Sequence, residues 1–75
     1  MSLEKLFADV FMYPEASVSD SLTFREVPRW DSLAHMMLIA KLEETYNIQF
    51  TGDEIADMRS VGDLRRTLSN HGVAL

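Results

Sequence analysis

Cysteine is missing from all 75 residues, so neither disulfides nor thiolate metal sites can hold this chain together, and packing must do so alone. Basic residues are scarce: seven Lys and Arg stand against twelve Asp and Glu, giving a formal charge of -5. A protein that reads a phosphate backbone needs a basic stripe to displace counterions, so nucleic acid is excluded as a partner and basic proteins are expected instead. No apolar run approaches the roughly 20 residues of a membrane span, and the N-terminus lacks the basic-then-apolar order of a signal peptide. A cytoplasmic protein without membrane contact is expected. What is present suits one small domain over 1–75, expected as a monomer: 47% of residues are hydrophobic and 25% charged, enough for a single modest core under a polar surface.

Leu3, Leu6, Phe7, Val10 and Phe11 follow the i, i+3, i+4, i+7, i+8 spacing of a helix that buries one face, with Ser2 as N-cap and Pro14 as its end. From Pro14 to Trp30 no period persists, and Ser17, Ser19, Asp20, Ser21 and Pro28 mark a connection. So long a loop in so short a domain is uncommon, and Val18, Leu22, Phe24 and Val27 are expected to pin it across the helices. A second helix runs from Ser32 to about Tyr46 and carries two apolar stripes. His35, Leu38, Ile39, Leu42 and Tyr46 are expected to face the core; Leu33, Met36, Met37 and Ala40 lie on roughly the opposite side. Thr51 and Glu54 form a capping box for a brief third helix from Asp53 to about Met58, with Ile55 and Met58 inward. Ser60 and Asp63 open a fourth, which buries Val61, Leu64 and Leu68 and stops at Gly72. The fold class expected is all-α: a small four-helix bundle of three longer helices and one short one, with a long loop between helices 1 and 2 and no strand.

Trp30-Asp31-Ser32-Leu33 is the most informative stretch. Asp31 can cap the second helix, which leaves Ser32 as its first residue with the hydroxyl free to solvent. An anion attached there would be favoured by the unpaired N–H groups and the positive end of the helix dipole, and a phosphodiester meets that description.

These residues resemble acyl carrier proteins and the related peptidyl carrier domains. In that family Asp-Ser-Leu opens the second helix, in the place of Asp31, Ser32 and Leu33. The resemblance continues through Leu42-Glu43-Glu44, Ile48, Phe50, Asp53-Glu54 and Ser60-Val61, without a gap from Asp31 onward, and more loosely through the first helix. It implies phosphopantetheine as a covalent cofactor on Ser32, flanked by Asp31 and Leu33, and a carrier that holds acyl or aminoacyl cargo as thioesters. The partners implied are a phosphopantetheinyl transferase, an acyl- or aminoacyl-loading enzyme and later biosynthetic enzymes of polyketide, nonribosomal-peptide or fatty-acid type. Arg29 stands where a glycine is common, and Ala34 and Met37 where fatty-acid carriers have carboxylates. Trp30 looks like the free-standing carriers of specialised-metabolite pathways, and the Leu-Gly-Gly-x-Ser motif of large assembly lines is missing.

Docking is expected on Met36, Met37 and Ala40, because flexible methionines suit a surface that meets several partners in turn. Trp30 is either a further docking residue or a plug that holds the loop on the core. No metal site is expected: Asp53, Glu54 and Asp57 read as a solvated acidic face. Nor is an enzyme expected. A serine hydrolase needs a base, an orienting acid and an oxyanion hole, whereas His35 reads as a core histidine turned away from Ser32 and His71 as a solvated helix-end residue. The alternative function is an unmodified acidic helical adaptor that binds proteins through the Met36/Met37 face.

Overall fold

The computed structural model of the chain describes residues 2–74. Four helices follow in order, α1 Leu3–Phe11, α2 Ser32–Tyr46, α3 Gly52–Asp57 and α4 Val61–Asn70, with one 3-10 turn at Glu15–Ser17 between α1 and α2. The all-α four-helix bundle of the sequence reading is observed. The 3-10 turn was not foreseen; it forms where Pro14 enters the loop in an extended conformation.

Each helix starts on a side-chain oxygen that accepts an otherwise unpaired N–H. Ser2 accepts from Lys5, Asp31 from Ala34, Thr51 from Glu54 and Ser60 from Asp63. The Thr51 box is reciprocal, since Glu54 also accepts from the Thr51 N–H at 2.9 Å, and it starts α3 at Gly52, one residue earlier than expected. At Ser60 the reciprocal bond moves one residue upstream: the Asp63 carboxylate accepts from the Arg59 N–H. The three longer helices end alike. Met12, Asn47 and Gly72 take positive φ, and the N–H after each bonds back to a carbonyl of the last turn, Tyr13 to Ala8, Ile48 to Glu43 and Val73 to Leu68. Such a closure satisfies carbonyls that the helix leaves free.

The core takes Leu3, Leu6, Phe7 and Phe11 from α1, Leu38, Ile39 and Leu42 from α2, and Val61, Leu64 and Leu68 from α4. Tyr46, expected among them, is half-buried, and its hydroxyl is shielded without a hydrogen-bond partner. Helix α3 contributes no buried residue; Met58, just after it, does.

Two loop residues, Leu22 and Val27, are buried as expected and Val18 is half-buried. Phe24 is not pinned: it is 39% exposed, because the backbone there has a stronger tie. The Phe24 N–H donates to Arg59 O, Val61 N–H to Leu22 O and Gly62 N–H to Asp20 O, at 2.9 to 3.1 Å. This stitch includes a single isolated antiparallel pairing of Thr23 with Ser60, too short to make a strand. At Gly62 a Cβ would lie 3.0 Å from Asp20 O, so the loop approaches α4 as closely as a glycine allows. Arg65 completes the join by pairing with Asp20 and with Glu4 of α1.

Candidate functional site

A turn closed by the Trp30 N–H on Val27 O, at 3.0 Å, delivers the chain into α2. Its last residue, Trp30, is 4% exposed and packs edge-on to Phe7 with ring centroids 5.1 Å apart. Of the two places expected for Trp30, docking residue or plug, its burial fits the plug: the large apolar rings of α1 claim the indole face. Asp31 Oδ1 accepts the Ala34 N–H at 2.8 Å. Ser32 follows as the first residue of α2, with an exposed side chain.

The indole N–H donates to His35 Nδ1 at 2.9 Å, and His35 Nε2 lies 2.9 Å from Ile55 O. An indole N–H only donates, so Nδ1 accepts, the ring proton sits on Nε2, and Nε2 donates to the Ile55 carbonyl. His35 thereby links the loop, α2 and α3. The expectation that it points away from Ser32 is corrected, since both border one cleft; residues three apart on a helix are neighbours on its surface. Both ring nitrogens are nevertheless engaged, which leaves no free lone pair to take a proton from the serine.

The cleft has a volume of about 610 Å³ and lies between α2, α3 and the loop. The buried Trp30 and Met58 and the half-buried His35 form its floor, Gly52, Ile55 and Ala56 line the α3 side, and the exposed Ser32, Asp31, Met36, Phe24 and Arg59 stand at its rim. The sequence reading missed Phe24, Gly52, Ala56 and Arg59 as site residues, and took His35, Ile55 and Met58 for core alone. The available signal was Ile55, whose helical position relative to the α3 cap turned that face toward α2; nothing in the sequence marked Arg59.

The outer stripe of α2 is bare. Leu33 is 74% exposed, Met37 60% and Met36 50%, and Ala40 is exposed beside them. Glu43 is partly taken up by structure, accepting the Phe50 N–H at 2.9 Å.

Away from the cleft, two expectations change. His71 does not sit free in solvent: its Nε2 lies 3.0 Å from both carboxylate oxygens of Glu54, and its ring packs edge-on to Phe50. Glu54 accordingly belongs to a clasp between α3 and α4, not to a solvated acidic face. The Thr51 N–H first, and His71 second, hold its carboxyl below the usual range. Among the described residues no group of three or more potential ligands could hold a metal ion, and no helix is long and apolar enough to cross a membrane.

No curated protein shows significant similarity to the chain. A family profile described as "Phosphopantetheine attachment site" matches residues 2–68. That match spans α1 to the last turn of α4, including the capped serine and the cleft beside it. Members of this family bear covalently attached phosphopantetheine and carry cargo without being catalysts. The chain belongs to the phosphopantetheine-binding family of acyl carrier proteins.

Proposed function

We propose that Ser32 is the attachment residue and that the protein carries acyl or aminoacyl intermediates between biosynthetic enzymes. One observation carries this reading. Ser32 is exposed at the first position of a helix capped by its neighbour Asp31, and it stands at the rim of a largely apolar cleft. Because Asp31 provides the cap, the serine is free for chemistry, and the helix N-terminus beside it favours the negative charge a phosphodiester brings. The group supplies, when attached, a flexible tether whose thiol holds cargo as a thioester and raises its effective concentration at a docked enzyme.

Attachment draws on coenzyme A through a phosphopantetheinyl transferase. Ser32 Oγ attacks the phosphorus that bears pantetheine, forming an O–P bond as the pyrophosphate P–O bond breaks, and adenosine 3′,5′-bisphosphate leaves with the electron pair. The serine proton must pass to a base on the transferase, since His35 has both nitrogens bonded.

Leu33, Met36, Met37 and Ala40 offer the docking face for the transferase and the loading enzyme. A small exposed apolar patch suits weak and transient contacts, which a carrier needs in order to leave one enzyme for the next. Carboxylates are sparse there, Ala34 and Met37 having none and Glu43 bonding Phe50. This supports a carrier of a dedicated specialised-metabolite pathway over a general fatty-acid carrier.

Intact-mass analysis after incubation with coenzyme A and a broad-specificity transferase tests the reading. One phosphopantetheine on Ser32, absent from Ser32→Ala, is expected. No adduct, under conditions that convert a known carrier, overturns it in favour of an unmodified adaptor that binds through the same methionines.

A further inference from the structure

Resting on the attachment at Ser32 proposed above, we infer that cargo stays outside the helical bundle, in the open cleft, and that the hydrogen-bonded series Trp30, His35 and Ile55 bars it from the interior. From Ser32 the way inward leads between α2 and α3 through the cleft floor. Trp30 and Met58 are 4% and 3% exposed there, and His35 bridges Trp30 and Ile55 with both nitrogens bonded, to the indole and to the Ile55 carbonyl.

An alkyl chain that entered by this route would separate both hydrogen bonds. It would leave the indole N–H, two imidazole nitrogens and a backbone carbonyl facing hydrocarbon, and polar groups stranded in this way oppose entry. Behind the floor the space is occupied: Leu6, Phe7, Leu38, Leu42, Leu64 and Leu68 have no exposed surface, and close-packed interiors admit extra methylenes only with strain. Outside it, the cleft of about 610 Å³ falls within the roughly 300–1,000 Å³ of sites that take drug-sized ligands. Its rim presents Asp31 and Arg59 beside apolar Phe24, with Ile55 on the α3 side. That mixture offers a short acyl or aminoacyl group held against the surface both apolar and charged contacts.

The test loads the full chain with acetyl, hexanoyl and decanoyl arms from the corresponding acyl-coenzyme A and a broad-specificity transferase, with each adduct confirmed by intact mass. Melting temperature and backbone and methyl NMR shifts are then measured on each form. The expected result is a melting temperature independent of chain length, with shift changes at Met36, Ile55 and Ala56 and none at Leu6, Leu42, Leu64 or Leu68. Burial of every two methylenes would instead raise the melting temperature by roughly 6–12 °C. A rise of that kind, with shifts in the core methyl groups, overturns the inference. The His35→Leu variant, which lacks the brace, is expected to acquire the length dependence, and Trp30→Phe, which removes the donor and leaves a smaller ring, serves if that variant does not fold. Flat melting in a folded variant refutes the role given to the brace. Failure of the unaltered chain to accept any arm is read by mass before the melts and overturns the carrier reading itself, and the inference with it.

Discussion

Asp31 and Ser32 are adjacent, both exposed and both at the start of α2, yet one should matter to folding and the other only to chemistry. Asp31→Ala removes the side-chain oxygen 2.8 Å from the Ala34 N–H. Loss of an N-cap costs about 1 kcal/mol, within a range of about 0.5–2. Loss of a negative charge beside the helix N-terminus adds about 0.3–1 kcal/mol. The sum, about 1–3 kcal/mol, corresponds to a fall in melting temperature of roughly 4–24 °C for a domain of this size. Asp31→Asn keeps a capping oxygen and loses only the charge, so it should retain most of the stability. Ser32→Ala should change the melting temperature by no more than a typical surface substitution, about 0.5 kcal/mol either way, while abolishing the mass increase on incubation with coenzyme A and a transferase. Thermal melts by circular dichroism and intact-mass spectrometry on the three variants give the answer. If Ser32→Ala proves as damaging as Asp31→Ala, the serine is part of the cap and the division of labour between the two residues is wrong.

Leu42→Ala, at a fully buried site in α2, should cost about 2–5 kcal/mol in denaturant unfolding; a smaller loss would show that the bundle collapses into the cavity. Tyr46→Phe should be neutral or stabilising by up to about 1 kcal/mol, because it deletes a shielded hydroxyl that has no partner. Destabilisation on the same unfolding curve would reveal a bond that the hydroxyl makes in solution. Met36→Glu and Met37→Glu should fold normally but slow loading by the transferase or the loading enzyme, since a charge placed in a desolvated contact has no partner there; unchanged time courses with every enzyme would move recognition to another face. Acid should weaken the fold from about pH 4.5 downward. The Glu4 carboxyl is lowered by its own backbone N–H and then by Arg65, and that of Glu54 by the Thr51 N–H and then by His71. Burial raises Asp63, but the Arg59 N–H, Arg66 and Ser60 outweigh it. Groups whose folded pKa lies below its ordinary value stabilise above that value and lose the contribution as pH falls through the folded one. Melts from pH 7 to 3 that stay level would contradict this, and Glu4→Gln together with Glu54→Gln should blunt the decline.

Local rules carried the sequence reading far because this fold is built largely from local signals. Ser2, Asp31, Thr51 and Ser60 each cap the helix that follows, and Leu3, Leu6, Phe7 and Phe11 are buried at the spacing that predicted them. The same rules were silent on contacts between segments distant in sequence. His71 meets Glu54 across 17 residues, and Arg65 meets Asp20 across 45; no periodicity encodes such meetings. Phe24 was misread for a related reason: hydrophobicity suggested an anchor, but the backbone stitch from Asp20 to Phe24 onto α4 holds the loop already and leaves the ring at the cleft rim. Within the site, the exposure expected for Ser32, Leu33, Met36, Met37 and Ala40 is observed, because one helix settles it. The cleft needed three segments brought together and was invisible until they were.

Trp30 is the only tryptophan of the chain, and it stands where the core meets the cleft. Its indole is screened from water by Phe7 and Phe11 and lies stacked 6.0 Å from the His35 ring, so its fluorescence reports two events from one position. Unfolding exposes the ring to water and moves its emission to longer wavelength. Anything that settles against the cleft floor changes the surroundings of the same ring without unfolding the chain. The protein is in this sense its own optical probe, and the arrival, residence and departure of a cargo can be followed in real time with no added label.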